Sequence, residues 1–427
     1  MTTRHPNNSV ELLAPAGGWE QLEYAICYGA DAVYLACDKF GMRARACNFP
    51  LGDIPAVVEY AHARGTDVHV TCNIVMHDGD IEQLPPYLEA LDAAGVDALI
   101  IGDMGAWRLA RKHAPHCALH ISTQASVSNA QAALTWYELG AKRIVCAREM
   151  SLEAIKRMRS QLPDDLELEA FVHGAMCMAY SGRCLISDFT TGRSALAGNC
   201  AQSCRWHYDL IEEKRPDECY GIEEDAYGSY LLNAQDLNML AHLDELRDAG
   251  ISSVKIEGRN KKAYYVACVT NAYRAVLDGA EAASFAGELE QISHRPYSTG
   301  FYFGPAHQTH GSIDYLRGAE WAAEVLSCEP ADKPKTWRAE VKCRNKFSLD
   351  SKLQLVAPGS PGRPISISSI KHLPLSRAEI LSDNTSQDWA PETTEPVEVT
   401  CANHTNERYV ITCDTALTPR DIIRVLR

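Results

Sequence analysis

The stretch Glu11–Ala36 reads ELLAPAGGWEQLEYAICYGADAVYLA. A short apolar run, Glu11–Ala14, leads into the helical pattern WEQLEYAICYGA, and a second apolar, β-branched run follows at Asp31–Ala36. The helical pattern closes on Gly29, a residue type that accepts the left-handed turn ending a helix. Strand, helix and strand joined by links this short imply that the two strands run parallel.

Working outward, the same beat recurs. Further runs lie at Asp67–Ile74, Ala98–Asp103, Leu119–Ser126, Arg143–Glu149, Leu168–Gly174 and Ser253–Arg259. Helical stretches such as IPAVVEYAHARG, LPPYLEALDAAG, NAQAALTWYELG and SLEAIKRMRSQL lie among them, and helices close on Gly65, Gly95, Gly140 and Gly250. Eight such units predict an α/β fold, a TIM-like (β/α)8 barrel over residues 8–280. An open doubly wound sheet is the alternative. Residues 175–252 interrupt the beat as a cysteine-rich insertion leaving the C-terminal end of a strand, the barrel face where chemistry is placed. Inside it, Tyr230–Asn233 reads as another strand, either part of the barrel or paired in a hairpin with Tyr208–Ile211. Residues 281–330 read as a linker region. From 331 to 427 short alternating runs (WRAEVKCRNKFS, KLQLVAP, RYVITCD) predict a small C-terminal antiparallel β-barrel domain.

The chain has 427 residues, 46% of them hydrophobic, more than a typical single domain needs. No segment approaches the ~18 apolar residues of a membrane helix, and the N-terminus lacks a secretory pattern, so a cytoplasmic protein with no membrane partner is expected. The net charge of −15 argues against DNA and against non-specific RNA binding. It leaves room for one RNA at local basic stretches: Lys255, Arg259, Lys261 and Lys262, or Lys342, Arg344 and Lys346. The oligomeric state stays open.

Sixteen cysteines are many for a reducing compartment, where structural disulfides are rare. Cys27, Cys37, Cys72, Cys146 and Cys268 fit apolar core positions. The insertion differs. GAMCMAYSGRCLISDFTTGRSALAGNCAQSCRW places Cys177, Cys184, Cys200 and Cys204 in a C-x6-C-x15-C-x3-C array. Four thiolates with Gly-rich backbone around them suit a [4Fe–4S] cluster. Four-thiolate zinc usually shows a short C-x2-C knuckle. Zinc, or packed thiols without metal, remain alternatives on spacing alone. HAPHCALH (His113, His116, Cys117, His120) is metal-like in composition, but falls in a helix-to-strand link at the opposite end.

Polar residues at strand ends are the other candidates. Asn73, Asp103, Gln124, Arg148, Glu149, His173, Glu257 and Arg259 end runs, and Arg43 and Arg45 follow the second. Arg43, Arg45, Arg148 and Arg259 are expected to hold carboxylate or phosphate, with Lys255, Asn73 and Gln124 completing a substrate-binding set. His173, Glu149 and Glu257 are expected to move protons. The plain structural alternative is that Arg148–Glu149 and Glu257–Arg259 are rim ion pairs. Trp206 and Tyr180 are possible stacking platforms or loop-packing residues.

EAFVHGAMCMAYSGRCLIS, together with ELLAPAG, YGADAVYL and SVKIEGR, resembles the collagenase-like peptidase family U32, in order over essentially the whole chain. GRCLIS, NCAQSCRW, YLLNAQDL, VKIEGR and VKCRNKFS resemble the branch with a small C-terminal β domain. That resemblance implies oxygen-independent hydroxylation of a wobble uridine at carbon 5 in the anticodon region of tRNA, with prephenate as co-substrate and an iron–sulfur cluster. It implies Cys177, Cys184, Cys200 and Cys204 as ligands. Some relatives take a ligand from the position after Asp-Leu in the NAQDL segment. Here that position is Asn238, which leaves the role to Cys200 or Cys204. Cys47 stands where many members have Asn, and the stretch between Trp206 and Tyr227 is shorter than in some relatives. The competing functions are peptidase activity, for instance through Cys177 with His173, and a non-catalytic cluster-bearing RNA-binding protein. Neither H-E-x-x-H nor G-x-S-x-G occurs.

Overall fold

A computed structural model describes residues 10–42, 48–176, 186–196, 198–203, 210–212, 215–220, 224–225, 228–229, 233–304, 308–309, 315–373 and 396–427. Eight parallel strands form the first unit: β1 (Glu11–Pro15), β2 (Ala32–Leu35), β3 (Asp67–Cys72), β4 (Ala98–Ile101), β5 (Ala118–Ile121), β6 (Arg143–Val145), β7 (Glu167–Ala175) and β8 (Ser253–Ile256). Each pairs with the next, and β8 pairs with β1 at Ser253↔Glu11, so the sheet closes. A helix follows every strand, from Trp19–Cys27 after β1 to Ala263–Leu277 after β8. The barrel expectation holds and the open sheet is excluded.

Local chemistry explains the helix boundaries. Asp103 caps Met104–His113, its Oδ1 accepting the N–H groups of Gly105 and Ala106 at 2.8 and 3.0 Å. Asn129 and Ser151 cap the next two helices in the same way. The five glycines expected to end helices all sit in the left-handed region, with φ from +76° at Gly65 to +98° at Gly140.

The insertion corrects one expectation. Of the strand expected at Tyr230–Asn233 and its partner Tyr208–Ile211, residues 230–232 and 208–209 lie outside the described residues; Asn233–Ala234 pairs with Gln308–Thr309, and Leu210–Glu212 pairs with Arg215–Tyr220. Asp236–Asn238 instead runs antiparallel to the far end of β7, opposite Ala175, Gly174 and His173, and Tyr297–Ser298 joins it in parallel. The sheet therefore extends beyond the barrel at this corner alone among the described residues.

The second compact unit takes in 283–293 and 317–427. The linker expected at 281–330 is thus partly domain: Ala319–Pro330 is a twelve-residue strand paired with Trp337–Cys343 and Ile422–Leu426. Eight antiparallel strands make one sheet, whose ladder does not close into a barrel among the described residues. Val325, Val341, Phe347, Leu355, Ile411 and Ile423 form its core. Arg424 is buried and held bidentately by Glu288, with both contacts at 2.8 Å.

Candidate functional site at the barrel mouth

The barrel is charged inside. Strand side chains alternate, so residues two apart along a strand face one side. Glu11, Ser253 and Glu169 meet at one level because β8 lies between β1 and β7 in register. Arg143 reaches across to Glu11 at 2.5 and 2.9 Å, to Glu167 at 2.7 Å and to Glu169 at 3.2 Å. Lys255 Nζ contacts Glu169 at 2.8 Å, and Ser253 donates to Glu11 at 2.7 Å. Burial alone would raise the Glu11 carboxyl, yet the Arg143 charge and its hydrogen bonds outweigh it and hold Glu11 at about 2. His69 and His120 stand edge to face beside this network, centroids 5.0 Å apart. Burial lowers His69 to about 4 and pushes His120 well below its ordinary value.

Lys255, expected to bind substrate, belongs to this interior network. Its ammonium lies 4.5 Å from the Tyr34 ring centroid and is 4% exposed as a residue. The sequence signal for the network is a charged or imidazole side chain within a short buried strand: Glu11, His69, His120, Arg143, Glu169 and Lys255. Alternation alone does not say which face of each strand points into the barrel, since that is set by the register of neighbouring strands.

Above the network the mouth begins. The Arg148 guanidinium stacks 3.7 Å over Phe171 and donates to the Ala175 carbonyl at 2.9 Å. Arg259 donates to Thr71 at 2.9 Å. The backbone of Arg259 lies so close to Gly17 that a Cβ there would sit 2.0 Å from its carbonyl oxygen, which explains the glycine after β1. Neither expected rim pair, Arg148–Glu149 or Glu257–Arg259, is among the described ion pairs. At the ends of β3, β4 and β5, Asn73, Gly102 and Gln124 line a cavity of about 230 Å³, and Leu196 of the cysteine-bearing segment forms another wall. The Val75 N–H donates to the Leu196 carbonyl at 3.0 Å, strapping that segment to the barrel.

His173 is enclosed rather than open to the mouth. It is 1% exposed, and Tyr265, Tyr273 and Tyr297 surround it at centroid distances of 5.9, 5.6 and 5.4 Å. Its Nδ1 lies 3.4 Å from the Tyr273 hydroxyl. Burial first, then the charges of Lys261 and His294, lower it to about 3. Glu257 is also buried, its N–H donating to the His173 carbonyl at 2.8 Å. Glu149 is half-buried at the end of β6.

The buried imidazoles of His69, His120 and His173 give stability a pH dependence. Above the ordinary value of 6.5 they are neutral folded or unfolded. As pH falls below that value the unfolded chain takes up protons that the fold refuses, and stability declines down to the folded values of about 4 for His69 and about 3 for His173. Between about pH 7 and pH 5 each of these two is expected to cost about 2 kcal/mol. Glu11, depressed to about 2 from 4.5, acts only in the more acid window below 4.5. Urea unfolding across this range checks the sign; equal stability at both ends would contradict the burial of neutral histidines.

Of the expected metal ligands, Cys177, Cys184 and Cys204 lie outside the described residues, as do Arg43 and Arg45. Cys200 is exposed, and its sulfur accepts the Gln202 N–H at 3.3 Å. The helix Ile186–Thr191 anchors the turn. Ser187 accepts from Ala201 N at 2.8 Å, Thr190 contacts Ser203 at 2.7 Å, and Arg193 donates to the Cys200 carbonyl at 3.2 Å. An open thiol with a backbone N–H on its sulfur has the donor chemistry of a cluster ligand. Asn238 is occupied elsewhere: its Oδ1 accepts from Leu240 N and the Tyr273 hydroxyl at 3.1 and 3.3 Å. His113 and His116 pair with Glu89 and Asp92, and His120 lies in the barrel interior against His69, so HAPHCALH does not gather its side chains at one point.

A closed parallel barrel with a cysteine-bearing segment over its mouth, followed by an antiparallel sheet domain, defines the class. The family model described as Peptidase family U32 matches residues 17–312, and that of the family's C-terminal domain matches 317–424. The chain belongs to peptidase family U32. It is 34% identical over 392 residues to a protein of Escherichia coli named tRNA hydroxylation protein P, covering 82% of this chain and 86% of that one. It is 37% identical over 316 residues to the 23S rRNA 5-hydroxycytidine C2501 synthase of the same organism, covering 73% of this chain and 46% of that one. It is also 31% identical over 315 residues to a protein of Porphyromonas gingivalis named Collagenase, covering 70% and 74%. No helix among the described residues is long and apolar enough to cross a membrane.

Proposed function

We propose that this protein hydroxylates tRNA without molecular oxygen, forming 5-hydroxyuridine at the wobble position. The observation that carries the reading is similarity to tRNA hydroxylation protein P over both domains, 82% of this chain. An rRNA hydroxycytidine synthase among the relatives favours RNA hydroxylation at a pyrimidine. The cysteine set suits a [4Fe–4S] cluster held by Cys177, Cys184, Cys200 and Cys204. Such a group supplies electron transfer, or an iron site open to an oxygen-bearing donor.

The chain's own residues bind and orient. Prephenate carries two carboxylates, and a planar guanidinium matches a carboxylate bidentately. Arg148, half-buried and fixed by its stack on Phe171, is assigned to that anion; Arg259, buried and held by Thr71, and Arg43 and Arg45 are assigned the same role. Glu149 remains the proton-moving carboxylate of this reading. His173 and Glu257, both buried, are assigned to position the end of β7 from which the cysteine segment departs.

The peptidase reading loses ground on one point. An imidazole held at about 3 is a poor base for a thiol whose ordinary value is near ~8.5, so a Cys177–His173 nucleophile pair is disfavoured. Iron-independent cleavage of gelatin by the anaerobically purified protein would restore it.

The co-substrate is tested in living cells. Blocking prephenate synthesis is expected to remove tRNA 5-hydroxyuridine derivatives, and growth without oxygen is expected to leave them in place. Persistence of the nucleoside without prephenate would remove prephenate from the scheme. Arg148→Ala is expected to weaken the response to added prephenate by at least about tenfold, as loss of a charged hydrogen-bonding partner does.

A further inference from the structure

We propose that the cavity between Asn73, Gly102, Gln124 and Leu196 receives the single pyrimidine base that is modified, turned out of the anticodon loop. The inference rests on the tRNA-hydroxylation reading and names where the base sits. At about 230 Å³ the cavity is smaller than the ~300 Å³ at which drug-sized ligand sites begin, so it suits one ring rather than a nucleotide or a peptide segment. Enzymes that act on a base commonly draw it out of the stack into a snug pocket.

The polar equipment matches a base edge. Asn73 accepts from Met42 N at 3.1 Å and donates to Ser122 at 3.2 Å. The Met42 N–H can only donate, which fixes Oδ1 as the acceptor and so sets the amide's orientation. A side-chain amide has two N–H donors and two acceptor lone pairs. One of each is used in these two contacts, so the amide retains one N–H and one lone pair of hydrogen-bonding capacity. A carbonyl adjacent to a ring N–H, as on uracil, is the complement of that pair. Ile74, Val75 and Leu196 supply apolar walls for the ring faces. Val75, which lines the cavity, is 38% exposed. It can meet a neighbouring base by apolar contact.

The placement also has a chemical consequence. Leu196 lies four positions before Cys200, and the Val75–Leu196 hydrogen bond holds its segment on the barrel at 3.0 Å. A base in this cavity therefore shares a wall with the cysteine segment, and the pocket is complete only when that segment is seated.

The test uses an anticodon stem–loop carrying 4-thiouridine at the wobble position, photocrosslinked to the full-length protein and mapped by peptide mass spectrometry. The crosslink is expected on the peptides holding Asn73–Val75, Gln124 or Leu196. Gly102→Val fills the cavity from the barrel side; even a Cβ there meets the Gln124 Cβ at 3.0 Å. Leu196→Trp fills it from the opposite wall, so the test does not depend on either variant alone folding. Both are expected to lose most of the crosslink while retaining stem–loop binding by filter assay. A crosslink elsewhere, no crosslink, or an undiminished crosslink in both variants overturns the pocket. If the crosslink maps elsewhere while cells need the protein for 5-hydroxyuridine, only the pocket falls. If it maps here while that nucleoside is independent of the protein, only the hydroxylation reading falls.

Discussion

Arg143→Met is expected to destabilise the barrel by about 3–5 kcal/mol, the cost of breaking a buried ion pair by removing one partner. Arg143 is the hub: Glu11, Glu167 and Glu169 all contact its guanidinium, and Glu169 is fully buried. Without it, Lys255 alone would face the buried carboxylates Glu11 and Glu169. A domain is typically stable by only ~5–15 kcal/mol, so the variant approaches unfolding. Arg338 supplies the comparison. Its pair with Glu329, at 3.4 Å, is about half exposed on both sides, and Arg338→Met is expected to change stability by less than about 1 kcal/mol. The double variant Arg143→Met/Glu11→Leu should recover part of the loss, because two apolar groups leave fewer stranded charges. Urea unfolding reads all three. An Arg143→Met midpoint equal to the parent's would show that the network does not hold the barrel together.

Cys177→Ser and Cys200→Ser are each expected to lose most of the bound iron and all tRNA hydroxylation, with the fold intact by circular dichroism. The parent, purified without oxygen, is expected to carry about four irons and matching sulfide with a broad brown absorption. Cys328→Ser, in the C-terminal unit and half-buried, is the control expected to leave iron unchanged. Stoichiometric zinc in the parent, or full iron in both variants, would contradict the ligand assignment. Because Cys200 is exposed, its substitution leaves the core untouched, and loss of iron there is not a folding effect.

The repeating element of the fold was legible because it is local. Apolar strand runs, capping residues such as Asp103 and helix-ending glycines such as Gly29 and Gly140 each act within a few residues. Facing and height were harder to read, because partner strands set them. Lys255 stands near the end of a strand in sequence, yet its register opposite Phe171, two residues beyond Glu169, places it in the interior. His173 shares parity with Glu169 and Phe171. A register shift opposite Lys255 and Ile256 inserts Val172 as an extra residue, and His173 packs among Tyr265, Tyr273 and Tyr297. Asn73 and Gln124 were legible as strand-end amides and do share a cavity. Leu196, more than seventy positions from Gln124 in the chain, gave no sequence signal of joining them. The strand Ala319–Pro330 was missed because AEWAAEVLSCEP is rich in alanine, and its pairing partners lie downstream.

Whether this chain makes hydroxylated tRNA is read by nucleoside mass spectrometry of total tRNA from cells lacking the gene. Cells re-supplied with the intact protein, or with Cys177→Ser, complete the comparison. Loss of 5-hydroxyuridine derivatives on deletion, return with the intact protein and no return with the variant are the results predicted. Unchanged 5-hydroxyuridine derivatives in the deletion strain would show that this chain does not make them.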